Sequence, residues 1–216
     1  MKKLLGRKAY TLVELVLAIA ITAIIASLSS TLIGYAVQMR KMSDAQTAMY
    51  MTSLRIHKAI SSELAASGEV ILYTKTPTSY TQVPATERVL YVNGGKLYYS
   101  NKSSSKTALL PMTNGFDSYN GVEIESISYK AVMLVDYINT DTSEPSNVFR
   151  CVQVTTVVKK GDWSYTHSTT VRFDEMILDS SQVKISTSET SFDKANTKLP
   201  SVSDTTVYPI IRYAIN

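Results

Sequence analysis

Apolar residues change their spacing twice along this chain, and each spacing predicts a different element. Over residues 15–28 they run almost unbroken, and after Glu14 no charged side chain appears until Arg40. About 20 apolar residues in a helix cross the ~30 Å hydrocarbon core of a bilayer, and the stretch from Tyr10 to about Ile33 meets that length. Between Gln38 and Ser67 there is neither Pro nor Gly. Met42, Ala45, Met49, Ile56, Ala59, Ile60 and Leu64 recur there at three- and four-residue steps, with a break near Ser53. Arg40, Lys41, Asp44, Arg55, Lys58 and Glu63 fall mostly elsewhere, so this half is an amphipathic helix. The whole predicted helix covers 10–67, about 87 Å at 1.5 Å per residue, with Gly68 expected to end it as a left-handed cap. The methionines at 39, 42, 49 and 51 are expected on the face that packs against the protein's own sheet.

After Gly68 the spacing shortens to two. Residues 70–73 form one predicted strand. Residues 88–92 and 96–100 flank Asn93-Gly94-Gly95, a pairing that reads as a hairpin because Asn-Gly suits positive-φ turn positions. Residues 122–129 alternate apolar and polar as a half-buried strand does, and 132–137 either continue or pair with it. Residues 149–158 and 163–173 flank Lys159-Lys160-Gly161-Asp162 as a second hairpin. Residues 178–206 are rich in Ser and Thr, so a mobile loop is expected there. Residues 207–216 return to β character, as a final edge strand with Pro209 near its start. The fold class is therefore α+β: a long N-terminal helix packed on an antiparallel β-sheet.

Charge sharpens this picture. The chain has 216 residues and a formal net charge of +4, and Lys2, Lys3, Arg7 and Lys8 account for that excess within the first eight. The remaining side chains balance, so the basicity is a topology signal rather than a nucleic-acid footprint. A positive flank before an apolar span places the N-terminus in the cytoplasm and the rest outside. A cleaved secretory signal would have a shorter apolar region, and here charged helical sequence follows directly. The single Cys excludes an intrachain disulfide framework and a cysteine-cluster metal site. Ser and Thr make up about a quarter of the chain, in keeping with a β-rich exposed body.

Glu14 stands out, because a carboxylate in a membrane helix costs ~2–3 kcal/mol or more at the centre and usually has a partner or a function. It is preceded by a basic leader and by Ala9-Tyr10-Thr11-Leu12-Val13, and followed by Leu15 and the apolar helix. This arrangement resembles the prepilin N-terminal signal of type IV pilins and pseudopilins. The resemblance implies that a prepilin peptidase cuts between Ala9 and Tyr10 on the cytoplasmic side. The freed α-amino group of Tyr10 is then N-methylated, and Glu14 of one subunit pairs with the amine of a neighbour during assembly. Two charges that are costly alone in an apolar medium offset each other when close. Two positions depart from the usual pattern. Ala9 stands where Gly usually precedes the cut, with Gly6 upstream of it. Thr31 stands where many major pilins place a helix-breaking Pro, with Gly34 nearby. The order of elements after the helix is similar to that of J-type minor pseudopilins.

The resulting organisation is a leader at 1–9, a transmembrane or filament-core half-helix at 10–37, an amphipathic half at 38–67, and an extracytoplasmic β-rich body at 68–216. The expected partners are prepilin peptidase, other pilin or pseudopilin subunits through the helix, a pilus assembly platform, and the lipid bilayer before assembly. Nucleic acid enters only if the filament is a competence pilus. A type IV pilus, a competence pilus and a type II secretion pseudopilus all fit the residues. A signal-anchored extracytoplasmic adhesin or enzyme is the alternative. No catalytic residue, cofactor or metal site is expected. His57 and His167 have no Cys or His near them in sequence, Cys151 reads as a buried strand residue, and no phosphate loop or zinc spacing is present. Asp136, Asn139 and Asp141 match no EF-hand spacing and read as a solvated loop. The Lys159-Lys160 turn reads as a soluble hairpin tip rather than a DNA or lipid contact.

Overall fold

The structure, a computed structural model, describes residues 11–65, 67–74, 83–102, 106–110, 118–138, 145–171, 183–187, 197–200 and 205–214. The chain divides into two compact units, Met1–Asp44 and Ala45–Asn216. Helix α1 (Leu12–Ala65) begins in the first and ends in the second. In the first unit every described residue, 11–44, is exposed.

In the second unit the expected single sheet is two sheets. Strands β1 (Val70–Tyr73), β2 (Glu87–Asn93), β3 (Lys96–Ser100), β4 (Thr107–Ala108), β8 (Val183–Ser186), β9 (Thr197–Lys198) and β10 (Ile210–Ala214) make the larger one. Its order is β4-β3-β2-β10-β1-β8-β9, antiparallel throughout except where β1 runs parallel to β8. Strands β5 (Glu123–Ile138), β6 (Pro145–Lys160) and β7 (Trp163–Val171) form an antiparallel meander. The sheets meet through backbone: Tyr129 and Tyr208 exchange hydrogen bonds at 2.7 and 2.8 Å, and Ile124 N–H donates to Gly95 O at 2.8 Å.

Both hairpins form with tight turns. Asn93 pairs with Lys96, so the two turn residues are Gly94 and Gly95, with φ of 54° and 72°, the two positive values that a type I′ turn requires. A Cβ on Gly95 would lie 2.9 Å from the Cβ of Glu123, so the turn is also where β5 approaches the larger sheet too closely for a side chain. Lys160 pairs with Trp163 around Gly161 at φ 61° and Asp162, with the positive φ at the first turn residue, as in a type II′ turn.

One face of α1 supplies the centre of the core. Met49, Ile56, Ile60 and Leu64 pack with Val70 and Leu72 of β1, Leu90 of β2, Ile127 and Tyr129 of β5, and Val152 and Val154 of β6. The break near Ser53 is filled by small polar residues: Thr52 and Ser53 are buried, and the Thr52 hydroxyl donates to Tyr119 O at 3.1 Å. The opposite face of the larger sheet is covered too, because Ile71, Tyr73, Val83, Val89, Tyr91 and Ile210 form a second cluster. A polar latch ties the helix end to the sheet. Arg88 Nη1 at 2.6 Å and Tyr213 OH at 2.8 Å both donate to Glu63 Oε2. Arg88 also lies 4.3 Å from the centre of the Tyr99 ring. Arg212 and Glu87, both buried, form an ion pair within the larger sheet.

Several expectations are corrected. The final strand β10 lies between β2 and β1 rather than at an edge. Pro209 falls just outside it, so its missing N–H does not interrupt the ladder, and Ile210 to Tyr213 are all buried. The 178–206 stretch, expected as a mobile loop, contains β8 and β9, because Val183 and Ile185 alternate into the core beside β1. Gly68 is not among the positive-φ glycines, and the helix end is instead closed by Ser67 N–H donating to Leu64 O at 3.0 Å. The methionines do not share a face. Met49 is buried and Met51 exposed because two residues along a helix turn the side chain by about 200°, whereas Met39 and Met42 lie in the first unit, where every described residue is exposed.

His57 and His167, 110 positions apart, meet between α1 and β7, with ring centres 4.5 Å apart at 85°. Burial first, and then the His167 imidazole, push the His57 pKa down to about 4, against an opposing backbone contact from His167. The unfolded chain takes up this proton below its ordinary 6.5, while the fold resists it until about 4. Stability therefore falls as pH drops through that window. Urea unfolding in detergent between pH 7 and 4.5 should show a loss to which His57 contributes on the order of 1–2 kcal/mol. His57→Leu should flatten the slope.

Candidate functional site

Thr11 and Glu14 together start the helix. The Thr11 carbonyl accepts the Leu15 N–H at 3.2 Å, the first hydrogen bond of the helical ladder. The Thr11 hydroxyl accepts the Glu14 N–H at 3.3 Å and donates to Glu14 Oε2 at 3.2 Å. The same Oε2 accepts the Thr11 N–H at 3.0 Å. A helix start leaves several N–H groups without intrahelical acceptors, and this reciprocal closure, a capping box, satisfies two of them. The Glu14 carboxylate also sits at the positive end of the helix dipole, a position that favours an anion by ~0.3–1 kcal/mol. All its contacts among the described residues fall on Oε2, and Oε1 accepts nothing among them.

The helix that follows has no covering surface of its own. Leu12, Val13, Leu15, Val16, Leu17, Ile19, Ile21, Ile24, Ile25, Leu28, Leu32 and Ile33 are all about half or more exposed. It is the one helix among the described residues that is long and apolar enough to cross a membrane. Three of its hydroxyls bond back to the helix: Thr22 donates to Ala18 O at 2.7 Å, Ser27 to Ile24 O at 3.0 Å, and Thr31 to Ser27 O at 3.0 Å. A hydroxyl that bonds back to its own helix removes the main penalty of a polar group in an apolar medium. The helix is continuous through Thr31 and Gly34.

Of the residues singled out in the sequence, Glu14 lies in the first turn of α1 with its carboxylate on Thr11, while Ala9 and Tyr10 lie outside the described residues. The sequence reading passes over Thr11. Its signal is the Thr-x-x-Glu spacing of residues 11–14 before an apolar run, which marks a capping box. Asn139 and Asp141 lie outside the described residues, and Asp136 is described only as backbone in β5. Cys151 is buried in β6. Lys160 Nζ donates to Asn120 O at 2.9 Å, and Lys159 lies 3.6 Å from Glu123, so both lysines of the hairpin tip have partners within the chain. The two histidines come together, and no group of three or more His, Cys, Asp or Glu among the described residues is placed to hold a metal ion.

Residues 5–30 match the family model described as the prokaryotic N-terminal methylation motif. No curated protein and no solved structure matches the chain. The matched segment runs from the basic N-terminal stretch through Thr11 and Glu14 into the exposed apolar helix. The chain thus carries a type IV pilin and pseudopilin-family signal, of the kind found on prepilin-processed, membrane-anchored proteins. The motif points to a structural role rather than an enzymatic one.

The capping box makes its own prediction. Thr11→Ala removes the hydroxyl and should weaken the helix start by about 1 kcal/mol, whereas Thr11→Ser should retain it. Amide exchange at residues 12–15 in detergent micelles should speed up several-fold in the alanine variant alone. Membrane insertion should be the same for all three proteins.

Proposed function

We propose that this chain is a minor structural subunit of a membrane-assembled filament: a type IV pilus, a competence pilus or a type II secretion pseudopilus. One observation carries the reading. The methylation motif of residues 5–30 coincides with an apolar helix that nothing in its own unit covers and that opens on an acidic capping box. In this proposal prepilin peptidase cuts between Ala9 and Tyr10 on the cytoplasmic side, and the new Tyr10 amine is methylated. The helix then holds the chain in the bilayer, with the body of residues 68–216 on the extracytoplasmic side. Assembly moves it from lipid into a bundle of like helices.

The role given to Glu14 follows from its chemistry. In the bilayer the carboxylate lies one turn from the start of the apolar span, with Oε2 engaged by Thr11. A neighbour's N-terminal amine brought to it replaces solvation with a charge-assisted hydrogen bond, which is shorter and about twice as strong as a neutral one. Because a single carboxylate on each helix meets a single amine on the next, pairing would also fix the axial offset between subunits.

Mass spectrometry of membrane-extracted protein tests the processing step. The expected product lacks residues 1–9 and carries one added methyl group, whereas an intact N-terminus would favour an anchored adhesin or enzyme. Glu14→Ala should remain inserted and cut but fail to enter filaments sheared from cells. Normal incorporation of that variant would remove Glu14 from the assembly role.

A further inference from the structure

The three-stranded sheet ends in a strand that, among the described residues, has no charge, proline, bulge or pairing strand along its outer edge. β7 pairs with residues 152–160 of β6 one for one over nine positions without a bulge. It holds no Lys, Arg, Asp, Glu or Pro. Natural edges are blunted by charge, proline, bulges or short length, because an open row of N–H and C=O groups templates another strand. The other edges among the described residues show such devices. β4 and β9 have two residues each, and β5 carries Glu123, Glu125 and Lys130, three register irregularities and backbone bonds to Gly95 and Tyr208. Among the described residues no strand pairs with the outer edge of β7.

A groove lies beside that edge. Its volume is about 390 Å³, and it is lined by Gln46, Thr47, Met49 and Tyr50 of α1 and by Ser164 and Tyr165 of β7. Successive strand residues point to opposite faces, so a cavity that touches both Ser164 and Tyr165 runs along the edge of β7 rather than over one face. Tyr50 and Tyr165 meet edge to face, with ring centres 6.1 Å apart. None of the six lining residues is charged.

We propose that this groove between α1 and the edge of β7 left unpaired among the described residues is a docking site for an extended peptide segment of another polypeptide, which adds to the meander as a fourth strand. The open backbone of β7 dictates the class of partner, since a second extended backbone satisfies the row of donors and acceptors along it. The neutral lining dictates its side chains. A charge entering the groove would be desolvated without a counter-ion, so the segment is uncharged there and alternates apolar with hydroxyl side chains. Strand addition gains affinity from the main chain and selectivity from a pocket that takes alternate side chains, here the cleft beside Met49, Tyr50 and Tyr165. The uncharged segment 152–158 shows the chemistry that β7 accepts, because it pairs with the other edge of the same strand.

The test uses the full chain in detergent micelles and a fluorescent synthetic nonapeptide made of residues 152–158 preceded by two solubilising lysines, which antiparallel pairing places at the Val171 end of β7, away from the groove. The expected result is saturable binding, with amide exchange across 163–171 slowed at least tenfold. Ser164→Lys, at an exposed position lining the groove, should weaken binding at least tenfold. Ser126→Lys, at an exposed position of β5, should leave it unchanged, and circular dichroism should confirm that both variants are folded. Absence of binding up to millimolar peptide, binding indifferent to Ser164→Lys, or protection in β5 instead of β7 would each overturn the proposal. A concentration-dependent dimer without peptide, lost in Ser164→Lys, would put a second copy of the chain on the edge and overturn the assigned occupant.

Discussion

An apolar helix with no covering of its own cannot remain in water, and the organisation of this chain follows from that constraint. Twelve large aliphatic side chains between Leu12 and Ile33 stand exposed. Moving each from water to an apolar medium favours transfer by ~1.5–3 kcal/mol, on the order of 20–30 kcal/mol together. The Glu14 carboxylate opposes this by ~2–3 kcal/mol or more at a bilayer centre, and by less near its edge. The outcome is an anchored chain whose one acidic group in the span is placed at the end where a helix dipole and two donors from Thr11 receive it.

The second unit obeys a different economy, in which one stretch of the same helix serves two sheets. Met49, Ile56, Ile60 and Leu64 repeat at helical spacing and reach strands of both. The helix end is tied by a polar contact, Glu63 held by Arg88 from β2 and by Tyr213 from β10. Burial, then Glu63, raise the pKa of Tyr213, so the phenol stays protonated and remains a donor to the carboxylate. Arg88 is part-buried, and its stacking on Tyr99 adds a second reason for the guanidinium to keep its orientation. Where the two sheets meet, space rather than charge decides, because Gly95 lets the β2–β3 turn come against β5.

Much of this was legible in the residues. The unbroken apolar run, the three- and four-residue repeat after it, and the Gly94-Gly95 and Gly161-Asp162 turns are local signals, and the elements they predict form. What escaped is non-local. The central place of β10, expected at an edge, depends on strand order and not on neighbours in sequence, and both of its faces are buried, like those of β1. The parallel pairing of β8 with β1 joins segments more than a hundred residues apart, and the Ser/Thr-rich composition around β8 hid the short Val183–Ile185 alternation. The contact of His57 with His167 is of the same kind. Thr11 was missed for a different reason: its capping role is written locally, but Glu14 drew the reading toward a partner in another chain.

The unbroken helix at Thr31 carries a mechanical consequence. A helix rises 1.5 Å per residue and an extended chain up to ~3.3–3.6 Å, so melting a few turns more than doubles the length of the melted segment. Such yielding starts most easily where a proline has already removed a hydrogen bond. Here Thr31 keeps its backbone donor, and no proline interrupts the backbone ladder of residues 12–44. Under axial load this helix would resist stretching as a rod and then give way cooperatively, rather than creep.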